Sequence, residues 1–468
     1  MNWWKRTRPP NDRVTRGNSA ADTPLPLSLC AGWGLGTLGI SVMFNTTGIL
    51  MQRYATDYLG IAAATWGTIY LAAKLYDAVT DPLMGMASDR TRSRLGRRRP
   101  YLLWGGLLCA VAFIALFHAP GATGNSQAIL VLTLLMLLYS TGYTIFNVPY
   151  MAMPAEMSRD YDDRSRLVSF RVYAIGFGTI VGVSVAPWLV RLFGGGQPGH
   201  HAMAWILGGV IALATVGSFF LTARAPATRH VQREDIGFGQ RMAMLLENRP
   251  FLLLLSVKCL QLAGLALNQA VLVYFMVHVL QRGYGFLGLY GLIASLGILL
   301  ANPGWLWLSR QLGKKRVYIV ASFLYSLLMI SWLWSGPGEP VWLILLRGFL
   351  LGCGSGGLLL MGQAMLPDAI GHDSARSGLR REGILAGFYT TAEKLAGALG
   401  GAISGWYLGL MGYVSSTRGA EVQPDSAIQA IYWSMSIWPA VLTLISCAVL
   451  LFYDLDRAKV TAHQQASP

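Results

Sequence analysis

The sequence predicts an all-α membrane protein, with twelve transmembrane helices arranged as two six-helix bundles. Three observations predict this. Of 468 residues, 54% are hydrophobic and only 13% are charged, about half the charged share of a soluble chain. Apolar stretches of about 20 residues, the length that crosses a hydrocarbon core of roughly 30 Å, recur along the whole sequence. The connections between them alternate between strongly basic and almost free of Lys and Arg. In lipid every backbone polar group must be satisfied within the segment, so these stretches are helices; membrane strands would be about half as long and would alternate.

The spans fall at 27–57, 62–87, 101–118, 127–154, 167–193, 202–223, 250–281, 285–309, 316–335, 340–367, 382–411 and 428–453. The basic connections are 88–100, 155–166, 224–249, 310–315 and 368–381, whereas 58–61, 119–126 and 336–339 contain no Lys or Arg. Basic loops stay on the cytoplasmic side, which places both termini there and requires an even number of spans. Residues 1–26, with Lys5, Arg6, Arg8, Arg13 and Arg16 and no cleavable apolar core, read as a retained cytoplasmic tail, and 454–468 as a second one. The net charge of +15 is accounted for by these loops, and no basic aromatic patch points to nucleic acid. The cysteines at 30, 109, 259, 353 and 447 lie inside apolar spans without metal-site spacing and read as packing residues.

Segment 224–249 is the longest polar stretch between spans, and it divides a bundle at 27–223 from one at 250–453. The halves echo each other. Asp81-Pro82 followed by Gly96-Arg97-Arg98-Arg99 returns as Asn302-Pro303 followed by Gly313-Lys314-Lys315-Arg316, and Met153-Pro154 returns as Leu366-Pro367. Such repeats mark transporters whose halves rock around a midplane site; the competing reading is chance similarity of helix ends.

Charges inside spans carry the most information, since each costs at least about 2–3 kcal/mol at the bilayer centre unless paired or hydrated. Lys74, Asp77 and Asp81 in span two share one helix face. Two dry carboxylates four residues apart repel, so a cation or proton between them makes physical sense, with Lys74 balancing the empty state. Pro82 also frees the carbonyl of Ala78. The plainer alternative is a structural pair of Lys74 with one Asp, which leaves the second carboxylate costly. Arg171 in span five and Lys394 in span eleven would neutralise an anionic substrate group; otherwise Arg171 partners Asp77 or Asp81, and Lys394 partners Glu393. Lys258 lies in span seven. Asn45, Thr46, Thr47, Tyr143, Thr144 and Asn147 complete the intramembrane polar set, Thr144 and Asn147 on one face.

The loop from Gly85 through Asp89-Arg90 to Gly96-Arg97-Arg98-Arg99 resembles the loop motif of the major facilitator superfamily, which implies gating roles for Asp89, Arg90, Arg97 and Arg98. A solvated basic loop is the alternative. The runs Asp77 to Gly85 and Arg90 to Tyr101, then Asn147-Val148-Pro149-Tyr150 with Asp160 to Arg164, and Asp373 with Ser377 to Gly383, resemble the glycoside–pentoside–hexuronide:cation symporters. That resemblance implies the major facilitator fold. It implies cation binding at Asp77 and Asp81, with Thr144 and Asn147 as neighbours, and functional roles for Arg171 and Lys394. The carboxylates that grip a galactoside in the family fall at Ser41 and Asn147 here. A cation-loaded cavity would then be net positive, so the expected solute is an anionic glycoside or uronide, contacted by Ser41, Asn45, Tyr143, Arg171 and Lys394.

The expectation is a monomeric symporter of the inner membrane that is not an enzyme and has no cofactor beyond a coupling Na⁺ or H⁺. Its partners are a small solute and the surrounding membrane lipid, without nucleic acid. A lysolipid or amphiphile transporter is the alternative within the superfamily. A polytopic membrane enzyme is the alternative outside it, disfavoured because the seven His residues form no metal pattern and the outward loops are short.

Overall fold

The computed structural model describes residues 25–120, 126–157, 161–225, 248–377, 382–419 and 421–454. Nearly all of the expected tails, most of the loop 224–249, Asp160 and the stretch 378–381 lie outside the described residues.

Twelve long helical segments run in chain order: α1 (Leu27–Asp57), α2 (Ala63–Arg90), α3 (Arg99–Leu116), α4 (Ser126–Met157), α5 (Tyr161–Ile180, continuing to Leu192), α6 (Gly196–Leu221), α7 (Arg249–Val279), α8 (Tyr284–Leu312), α9 (Lys314–Trp334), α10 (Val341–Ser377), α11 (Glu382–Leu410) and α12 (Asp425–Leu451). Ten of them are long and apolar enough to cross a membrane. The other two, α2 with 28 residues and α11 with 29, are long enough but less apolar. They are the helices that hold Lys74, Asp77 and Asp81, and Glu393 and Lys394. The expected count of twelve crossings therefore rests, for two helices, on length alone.

Helix ends overrun the apolar stretches most at α10, which was expected to end at 367 and continues to Ser377. Hydropathy marks where lipid begins and ends, whereas a helix can continue past it into water. Pro82, Pro149, Pro154, Pro303 and Pro367 all sit inside helices, as bundled membrane helices permit when neighbours satisfy the freed carbonyls.

The first six helices pack on one another (α1 on α5 and α6, α3 on α4 and α6, α2 on α4). The last six do likewise (α7 on α11 and α12, α8 on α10, α9 on α10 and α12). The bundles meet along α2–α11, α5–α8 and α1–α7. Tyr150 explains part of one sequence motif. Its ring stacks on Trp33 with centroids 4.9 Å apart, and its hydroxyl bonds to Thr37 at 2.7 Å, fastening α4 to α1.

The sequence echo takes physical form at the basic-loop end. Gly96 and Gly313 both adopt left-handed backbone, with φ of 95° and 85°, a conformation glycine reaches without steric penalty. Beyond Gly313, Lys314 Nζ donates to Asp368 Oδ2 at 2.6 Å. Beyond Gly96, Arg97 and Arg98 pair with Glu156. In each half a basic loop is thus tied to an acid just after the helix proline, at Pro154 or Pro367.

Candidate functional site: a charged cavity between the bundles

A cavity of about 1580 Å³ runs between the bundles, from Gln52 and Trp66 to Asp89, Arg97, Arg98 and Glu156 at the basic-loop end. Asp81, Ser41, Asn45, Tyr143, Asn147, Arg171, Glu393 and Lys394 all line it. Helix α2 places its two acids at different depths in the wall. Asp77 is 2% exposed and Asp81 faces the cavity.

Each acid has a lysine. Lys74 Nζ, also buried, donates to Asp77 Oδ2 at 2.9 Å, while Asp77 Oδ1 has no hydrogen-bond partner among the described residues. Asp81 Oδ1 accepts from Thr144 Oγ1 of α4 at 2.8 Å. Asp81 Oδ2 is ion-paired with Lys394 of α11, so this one carboxylate joins the two bundles. The Tyr143 ring stands between the lysines, with its centroid 5.6 Å from Lys74 Nζ and 5.5 Å from Lys394 Nζ. Cation–π contact of this kind steadies a desolvated ammonium.

The geometry revises several pairings expected from sequence. Lys74 forms the structural pair with Asp77 that was the plainer alternative, but the second carboxylate is met by Lys394. Arg171 partners neither aspartate; it lines the cavity with no salt bridge to a described residue. Glu393 does not serve Lys394. It accepts from Gln363 Nε2 at 3.0 Å and lies 3.7 Å from Lys258 Nζ, because successive helical residues diverge by about 100°. Ser41 Oγ donates to the Ile175 carbonyl at 3.1 Å, and Asn45 Nδ2 donates to Thr179 Oγ1 at 3.3 Å, so both tie α1 to α5 at the cavity edge. Asn147 lines the cavity without a described bond to either aspartate.

At the basic-loop end Arg98 is the hub. It pairs with Asp89 and Ser88, and its Nε donates to Glu156 at 3.0 Å; Arg97 pairs with Glu156 as well. Arg90, grouped with these residues by sequence, is exposed and joins none of these bonds. Glu156 was missed. Its position two residues after Pro154, matching Asp368 one residue after Pro367, was the available signal.

The opposite end is closed by a cluster that the sequence reading also missed. Asp57 Oδ2 accepts from Arg53 Nε at 2.8 Å, and both side chains are almost fully buried. Asp57 Oδ1 accepts from Thr56 at 2.8 Å and from the Tyr413 hydroxyl, in the second bundle, at 2.7 Å. Thr56 shares a 2.8 Å bond with Tyr274 of α7. The Arg53 guanidinium lies 5.1 Å from the Tyr284 ring centre. The backbone N–H groups of Ser416 and Gly419 donate to the carbonyls of Thr56 and Asp57 at 2.8 and 2.9 Å. Burial, and then the Asp57 charge, push the Tyr413 hydroxyl well above an ordinary phenol, so it remains a donor at any physiological pH.

Twin helical bundles around a charged cavity, open toward one end and sealed at the other, define a multi-pass membrane transporter rather than an enzyme. The family model for MFS/sugar transport proteins matches residues 32–457, and the chain belongs to that family, within its glycoside–pentoside–hexuronide branch. It is 30% identical over 453 residues to a putative glycoside/cation symporter of Escherichia coli, covering 94% of each chain. It is 25% identical to the isoprimeverose transporter of Lactiplantibacillus pentosus, covering 92% of this chain and 90% of that one. Among solved structures, a bacterial homologue of the human lysosomal transporter Spinster, inward-facing and occupied, superposes with a TM-score of 0.64 at 12% identity. The match covers 93% of this chain and 97% of that one, a likeness of fold alone.

Proposed function

We propose that this protein is a cation-coupled symporter that carries an anionic glycoside across the inner membrane by alternating access, with both termini and the basic loops in the cytoplasm. The observation that carries this reading is Asp81, bonded to Thr144 in its own bundle and ion-paired with Lys394 of the other. A Na⁺ or H⁺ that occupies Asp81 competes with the Lys394 ammonium. Occupation of the acid therefore alters a tie between the bundles, and coupling needs only a few kcal/mol of differential affinity between states. Asp77, with one carboxylate oxygen that has no hydrogen-bond partner among the described residues, supplies the second ligand. The cavity reaching the basic-loop end and the seal at the opposite end fit an inward-open conformation. The protein acts as a monomer, since each chain holds a complete cavity.

The anionic charge of the solute follows from counting. Asp77, Asp81 and Glu393 each face a lysine, namely Lys74, Lys394 and Lys258. Arg97 and Arg98 are met by Glu156 and Asp89, so among the described cavity residues Arg171 is the cation without a salt bridge, and an acidic group on the solute answers it. Purified protein is expected to be protected against heat by phenyl glucuronide more than by phenyl glucoside, and Arg171→Gln to weaken the glucuronide about tenfold or more. Protection by the glucoside alone would contradict the charge assignment. Protection by lysolipid alone would favour the amphiphile reading.

A further inference from the structure

The second bundle holds a charged cluster that the coupling scheme does not use. Lys394 reaches across to Asp81, whereas Glu393 stays with its own bundle, bonded to Gln363 of α10 at 3.0 Å and 3.7 Å from Lys258 Nζ of α7. Lys258 is 2% exposed, and its ammonium makes no hydrogen bond with a described residue. Gln261, on the next turn, is equally buried, and neither end of its amide has a partner among the described residues. A buried ammonium in lipid is costly without a counter-charge, and Glu393 is the acid it faces.

Glu393 itself is not sealed away. Its side chain is 26% exposed and lines the cavity. Arg171 lines the same cavity from α5 of the first bundle. Beside the pairs Asp81–Lys394, Asp89–Arg98 and Glu156–Arg97, the cavity thus presents Arg171 from one bundle and the Glu393 carboxylate from the other. A solute carrying both an acid and hydroxyl groups has one favoured orientation between them.

We propose that Glu393 is the specificity-determining contact of the second bundle, accepting hydrogen bonds from solute hydroxyls while the solute's acid lies at Arg171. Lys258 and Gln363 are positioning residues that hold the carboxylate toward the cavity. The proposal rests on the anionic-glycoside reading above and adds the orientation of the solute. Hydrogen bonds to a carboxylate are the stronger kind, so one wall acid can separate a glycoside from a simple organic anion of the same charge.

Three probes test it by titration of purified protein: phenyl β-glucuronide (acid and hydroxyls), phenyl β-glucoside (hydroxyls alone) and benzoate (acid alone). Glu393→Gln is expected to weaken the glucuronide about tenfold or more while leaving benzoate unchanged. Arg171→Gln is expected to weaken the glucuronide and benzoate while sparing the glucoside. Lys258→Met is expected to reproduce the selectivity of Glu393→Gln, and Lys258→Arg to retain that of the wild type. Where Lys258→Met fails to fold, the Lys258→Met/Glu393→Gln double variant, which removes both charges, gives the comparison and should match Glu393→Gln. Glu393→Gln that binds the glucuronide as the wild type does, or that loses benzoate equally, overturns the proposal. If the wild type prefers the glucoside, the anionic reading fails, while a Glu393→Gln loss on that glucoside still supports the hydroxyl contact. A wild type that binds none of the three contradicts both.

Discussion

Asp81→Asn is expected to abolish accumulation of solute against a gradient while leaving passive exchange. The substitution keeps an oxygen for the Thr144 hydroxyl, which donates at 2.8 Å, but removes the charge that is paired with Lys394 and that is proposed to bind the coupling cation. Lys394 keeps 30% of its side chain exposed in the cavity, so it can be hydrated when its partner is lost. The expected effect is therefore on coupling rather than on folding. A tenfold inward gradient of one coupled cation supports about tenfold accumulation of solute. In the variant the ratio should fall to about one, read as radiolabelled solute retained in proteoliposomes. Asp81→Cys should behave alike. Retained cation-driven accumulation in either variant would remove Asp81 from the coupling site.

The second large effect lies at the sealed end. Asp57→Ala is expected to cost about 3–5 kcal/mol, because it leaves the Arg53 guanidinium buried without its counter-charge. Asp57 is 1% exposed and also receives the Thr56 and Tyr413 hydroxyls, so the deletion strands donors in both bundles. Its signature should be a lowered thermal midpoint together with faster labelling of a cysteine placed at Gln269, which lines the cavity, by an impermeant thiol reagent added outside. Arg53→Met combined with Asp57→Leu, which removes both charges, should recover most of the midpoint, since a buried pair replaced by apolar groups is often neutral. The faster labelling should persist, because the tie to Tyr413 is still missing. A midpoint unchanged by Asp57→Ala would mean that the cluster does not hold the end closed.

Much of the helical layout was legible because lipid imposes it. Uninterrupted apolar stretches have one backbone solution, and α1 begins and ends where its hydropathy does. The candidate cavity residues were legible for a related reason, since a charge or amide inside such a stretch is costly enough to stand out. Their partners were not legible. Lys394 is 313 positions from Asp81, and nothing local distinguishes Asp81 from Glu393 as its counter-ion; only the packing of α2 on α11 decides it. Glu393 looked like the partner because it is adjacent in sequence, yet adjacency on a helix separates side chains. Arg53 and Asp57 were overlooked for the opposite reason. They close the last turn of α1, where charges ordinarily face water; here the chain between α11 and α12 folds over them through Tyr413, Ser416 and Gly419, and Tyr284 packs on Arg53.

Under the proposed mechanism, occupation of Asp81 by a cation is exchanged for work on the solute. Wild-type protein in proteoliposomes, supplied with phenyl glucuronide, tests it when an inward tenfold gradient of Na⁺ or, separately, of H⁺ is imposed. Accumulation approaching tenfold is expected under one of these gradients, collapsing when an ionophore dissipates it. Equilibration of the solute without accumulation under both gradients would contradict it.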